Sequence, residues 1–157
     1  MRFALAAALA LLASLSPSAA QTVVPAAAPD LSNAQPLAGS WTYANTADGS
    51  EATFRDAAAR PQLVVHCTRA ARQVTIAKPA AGAAPFLLLW TSSLSRSLPA
   101  SFNPATGRLS ATVGAYDPIL DAFAFSLGRV GVTVSGLPSL VVPAWAEAVR
   151  VIEDCRA

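Results

Sequence analysis

The sequence predicts a mainly β domain, a small antiparallel β-sandwich or barrel with a short internal helix and a C-terminal helix packed on the sheet. Three observations lead there. From Ser40 onward, short apolar runs alternate with turn residues every eight to twelve positions or so, the rhythm of an all-β fold. Two later stretches, around Ile119 and around Val149, switch to helical spacing. Cys67 lies in a strand-like run and Cys155 in the last helix, so a single bridge can tie the end of the chain to its middle.

The chain opens with MRFALAAALALLASLSPSAA, in which Arg2 precedes an apolar run and small residues close the segment. Those are the parts of a secretory signal peptide, with cleavage expected after Ala20. The apolar stretch falls short of the ~20 residues that span a bilayer, so no stable membrane span is expected after cleavage. No cysteine near the cut offers a lipid attachment point. Removing 20 residues from 157 leaves 137, one ordinary domain, with ten basic residues, scattered singly, against nine acidic ones. Nucleic-acid binders and polybasic membrane binders gather their positive charge, so neither class fits. Residues 21–38 are rich in Ala and Pro and lack a period, which predicts a flexible lead-in to a single β-rich domain over 39–157.

The strand candidates are Ser40 to Tyr43, Ala52 to Arg55, Gln62 to Cys67, Gln73 to Ala77, Phe86 to Thr91, Leu94 to Leu98, Arg108 to Val113, Val130 to Val134 and Leu140 to Val142. Asp48-Gly49 marks a turn between the first two. Ala77 to Pro85 and Ala100 to Gly107 read as loops. The run PFLLLWTS is apolar on both faces and suits a central strand, whereas RLSATV alternates and should have one wet face. Leu63, Val65, Leu87, Leu89 and Trp90 are the expected sheet core.

In DPILDAFAFSLG, Asp117 can cap a helix, Pro118 suits its first turn and Gly128 can close it in a left-handed conformation. Ile119, Leu120, Phe123 and Leu127 then share a face. Phe125 falls on the opposite side, either as a binding contact or buried on the second side of a sandwiched helix. The last helix, Ala144 to Asp154, follows Pro143. Trp145, Ala148, Val149, Ile152 and Cys155 form its apolar arc, and Glu147, Arg150, Glu153 and Asp154 form a charged face with the spacings of surface ion pairs.

Cys67 shares parity with Leu63 and Val65, and Cys155 lies on the apolar arc, so both thiols point to one interior. In an oxidising compartment that predicts a disulfide. No C-x-x-C pair suggests a redox catalyst.

Catalytic chemistry has little to build on. His66 is the single histidine and neighbours Cys67 on a strand, where alternation separates their side chains. Ser92, Ser93 and Ser95 stand in no Gly-x-Ser-x-Gly context. Asp117 and Asp121 are spaced to share a cation, but one helical pair offers few of the oxygens calcium requires. The glycines flanking Arg129 do not form a phosphate loop. No catalytic residue, metal or cofactor is expected.

The strings Asp117-Pro118-Ile119-Leu120-Asp121-Ala122-Phe123-Ala124-Phe125-Ser126-Leu127-Gly128-Arg129, Val132-Thr133-Val134 with Gly136-Leu137, and Pro143-Ala144-Trp145-Ala146-Glu147 through Arg150 to Arg156 carry a resemblance. They resemble uncharacterised exported proteins of alphaproteobacteria, and the layout over Gln62 to Arg156 is similar to that of invasion-associated locus B proteins and of accessory proteins of type VI secretion. The resemblance implies a small β-rich periplasmic or secreted domain and transfers no catalytic motif. Three function classes follow in order: a non-enzymatic envelope module that binds a protein or small ligand, an inhibitor of a secreted or periplasmic hydrolase, and an enzyme built from scattered residues such as His66, Asp117, Asp121 and Arg129. For the binding module, Phe125, Arg129 and Trp145 are the expected interaction surface.

Overall fold

The structure, a computed structural model, describes residues 28–157; the expected signal peptide and cleavage site lie outside the described residues. Among the described residues, ten strands form two antiparallel sheets packed as a small β-sandwich. The strands are β1 (Gly39–Asn45), β2 (Gly49–Asp56), β3 (Pro61–Thr68), β4 (Gln73–Pro79), β5 (Phe86–Trp90), β6 (Ser95–Pro99), β7 (Ser101–Asn103), β8 (Arg108–Gly114), β9 (Val130–Thr133) and β10 (Leu140–Val142). The larger sheet runs β1-β2-β3-β4-β8-β7 and the smaller β10-β9-β5-β6. Helix α1 (Pro118–Ala124) leads into β9, and α2 (Ala146–Arg156) ends the chain. Among the described residues no helix is long and apolar enough to cross a membrane.

Alternation along the strands builds the core. Phe54, Leu63, Val65, Val74, Ile76, Leu109 and Ala111 face inward from the larger sheet, and Leu87, Leu89, Leu98, Val130 and Val132 meet them from the smaller. β8 has the expected wet face, with Thr112 exposed between Ala111 and Val113. Helix α2 lies against β1, β2 and β3. It buries Ala148, Val151, Ile152 and Cys155, a stripe with helical spacing. Cys155 is bonded to Cys67 on β3, as their shared orientation predicts. The turn between β1 and β2 tucks under this bridge: a Cβ on Gly49 would run into the carbonyl of Cys67.

β5 is paired on both sides, by β6 and β9. Its two apolar faces have different partners. Leu87 and Leu89 join the main core, but Trp90 points the other way and packs with Leu31 and Val141 in a second small cluster. Trp90 therefore does not belong to the inter-sheet core expected for it, because strand parity turns it outward. Leu31 comes from the segment whose composition predicts a flexible lead-in. Residues 28–38 instead lie as a strap over the smaller sheet, with Leu31 buried over Gly131 and the Leu37 amide donating to the Val141 carbonyl at 2.8 Å. A Cβ at position 131 would occupy the space of the Leu31 side chain.

Two further differences concern local elements. Within the expected loop Ala100 to Gly107, Ser101–Asn103 forms β7 and pairs with β8. Helix α1 begins as expected, with the Asp117 carboxylate accepting from the Ile119 amide at 3.0 Å, but it ends at Ala124 rather than near Gly128.

Candidate interaction surface

The early end of α1 shapes the surface that follows. The Ser126 hydroxyl donates to the Arg129 carbonyl and accepts from the Ser92 amide at 3.0 Å, while the Leu127 amide donates to Ser92 Oγ at 2.9 Å. Such side-chain bonds to the backbone compete with helix continuation. They hold Ser126 inward, and its neighbours turn out: Phe125 and Leu127 are each 80% exposed. Leu127, expected on the apolar face of α1, loses that face because the helical phase stops three residues earlier.

Trp145 sits at the N-terminal cap of α2 in extended conformation, outside the helical arc expected to bury it, and is 45% exposed. It stands at one end of a groove of roughly 780 Å³ that runs along Ala146, Val149, Arg150 and Glu153 of α2 and reaches Ala124, the residue before Phe125. Tyr43 from β1 forms part of the opposite wall. Its hydroxyl donates to Asp154 Oδ2 at 2.6 Å, and the Arg150 guanidinium lies over its ring, 4.2 Å from the centroid. Arg150 and Asp154 are thus organised by Tyr43 across the groove, in place of the along-helix ion pairs their spacing suggests. Burial opposes ionisation of Asp154, but hydrogen bonds from Tyr43 and Ser50 and the charges of Arg150 and Arg69 prevail and hold the carboxyl below its usual range.

Arg129, the third residue expected on this surface, is half-buried. Its guanidinium donates to the main-chain carbonyls of Ser32 at 2.6 Å and Ala34 at 2.8 Å, clamping the strap beside the Phe125–Leu127 turn.

The remaining candidates are dispersed. His66 lies on the outer face, with Nε2 3.1 Å from Asp48 and Nδ1 3.5 Å from Glu51. Ser50 is buried and pairs in register with Cys67, so it faces away from His66. Asp117 is held by Arg96 at 2.7 Å and Asp121 by Arg156 at 2.8 Å, so the two carboxylates serve separate arginines. The Arg96 hydrogen bond is the main cause holding the Asp117 carboxyl below its usual range. Among the described residues no group of three or more His, Cys, Asp or Glu side chains could hold a metal ion.

Tyr43 and Leu127 join this surface without a sequence signal that singled them out: Tyr43 reads as an ordinary strand aromatic and Leu127 as helix core. The single lysine, Lys78, was equally silent. It shares the inward parity of Val74 and Ile76 and is buried, which pushes its ammonium below the ordinary lysine range. No protein-family model, curated protein or solved structure matches the chain.

Proposed function

We propose that this protein is an exported, non-enzymatic interaction module of the cell envelope that holds a protein partner through the apolar rim of Phe125, Leu127 and Trp145. One observation carries the reading: two large apolar side chains stand four-fifths exposed on a turn pinned by its own hydrogen bonds. Exposed apolar groups on a fixed frame bind at low ordering cost, and aromatic anchors of this kind dominate many interfaces. The disulfide suits an oxidising compartment, and the leading segment has the parts of a signal peptide. Both favour a periplasmic or secreted location, as does the resemblance to exported alphaproteobacterial proteins.

The test is affinity capture from the cognate envelope extract with oxidised protein beginning at Gln21, alongside a Phe125→Ser/Leu127→Ser double variant of unchanged Tm. A partner retained by the parent and lost from the variant supports the module, and its identity shows whether it is a hydrolase under inhibition. A partner retained equally by both removes the rim from the account.

A further inference from the structure

A sandwich with two open sheets has four edge strands, and three of these are guarded. β10 and β7 are only three residues long, and β10 also receives the Leu37 amide from the strap. β6 carries Arg96 and Pro99, a charge and a proline of the kind that discourages pairing. β1 differs on every count. It is seven residues long, contains neither a charge nor a proline, and pairs with β2 in unbroken register from Gly39 to Asn45. Among the described residues no strand lies along its other edge. An antiparallel strand directs part of its amides and carbonyls to each side, so an open β1 edge offers a row of backbone partners.

The groove of α2 follows this edge. Trp41 of β1 donates through Nε1 to the carbonyl of Pro143 at 2.9 Å, two residues before Trp145. Tyr43, two residues further along β1 on the same face, meets Arg150 and Asp154. A strand added to β1 would turn every second side chain toward the groove. Glu147, Glu153 and Asp154 line the groove with Arg150, whose guanidinium lies over Tyr43; Asp154 is met by Tyr43, Arg150 and Arg69, which leaves Glu147 and Glu153. Glu147 and Glu153 form no ion pair among the described residues.

We infer that β1 is a docking edge for an extended segment of a partner protein, which adds as a further strand and places Lys or Arg side chains against Glu147 and Glu153. Main-chain hydrogen bonds supply affinity, and the groove supplies preference for positive charge. This rests on the reading of the chain as an interaction module and assigns its partner a chemistry.

The probes are capped seven-residue peptides of alternating Val and Lys or alternating Val and Glu, with a Val/Lys peptide N-methylated at every second amide, titrated into isotope-labelled oxidised protein. The Val/Lys peptide should shift the backbone amides of residues 39–45 and 145–154 and bind about tenfold more tightly than Val/Glu, a preference that Glu147→Gln/Glu153→Gln abolishes. N-methylation should remove binding. Absence of shifts along β1, equal binding of the two charge types, or unimpaired binding of the N-methylated peptide overturns the inference. So does a peptide-free dimer whose dilution moves the β1 amides, since a second copy would then own the edge. Capture that still depends on Phe125 and Leu127 would leave the module standing after this site had failed.

Discussion

Arg129 and Ser32, 97 residues apart in sequence, are joined by a 2.6 Å hydrogen bond from guanidinium to main-chain carbonyl. With the second bond to Ala34 and the burial of Leu31 against Trp90, this contact makes the strap part of the sandwich. Leu31→Ala should cost about 2 kcal/mol through lost burial, and Arg129→Ala about 1 kcal/mol through loss of the clamp, since water can reach the Ser32 and Ala34 carbonyls. Both should raise amide exchange at residues 31–37 while that of β3 and β4 stays slow. Denaturant unfolding with exchange mass spectrometry checks this.

The Cys67–Cys155 bridge closes a separation of 88 residues. Chain-entropy reasoning gives it about 4.5 kcal/mol of stabilisation. Reduction, or the Cys67→Ser/Cys155→Ser double variant, should therefore lower the Tm by roughly 10–20 °C without changing the oligomeric state. Calorimetry with sedimentation would measure both.

Asp56 closes the turn between β2 and β3. Its carboxylate accepts from the amides of Ala58 and Arg60 and from the side chains of Arg60 and Gln62. The Arg60 amide bond is the largest cause that lowers its pKa to about 2, from an ordinary 3.8. The unfolded chain thus binds the proton more readily. Stability from this group is fully present above 3.8 and is lost as pH falls toward 2. Asp56→Asn should lower stability at neutral pH and flatten its decline in that acid window, read by urea unfolding across pH.

Lys78 is buried and takes part in none of the ion pairs among the described residues. Burial lowers its folded-state pKa, so the parent should gain stability as pH rises toward the ordinary lysine value of 10.5. Lys78→Met keeps the stem's packing and drops the charge; it should raise the Tm by a few degrees at neutral pH and remove that alkaline gain. A thermal series from neutral to alkaline pH tests both parts.

Strand positions, the disulfide and the cap at Asp117 were legible because each is set by local chemistry: alternation, parity and a short polar side chain before proline. What escaped was set by contacts distant in sequence. Ser92 and Ser126, 34 residues apart in sequence but hydrogen-bonded at the same end of the smaller sheet, stop α1 early, and this moves Leu127 from core to surface. Leu31 lies in a segment with no period, and its site exists only because Gly131 leaves room for it. β7 is too short to show a pattern and forms because β8 is there to pair with it. Among the expected surface residues, Phe125 and Trp145 are exposed, and half-buried Arg129 clamps the strap.

A protein held by the Phe125–Leu127 rim must lie within crosslinking reach of position 125. A photo-crosslinking amino acid placed at position 125, and separately at exposed Phe86 on β5, tests it most directly when the oxidised proteins are irradiated in the cognate envelope extract. One discrete adduct is expected from position 125 and none of that pattern from position 86. Adducts of the same pattern from both positions, or none from position 125, would contradict it.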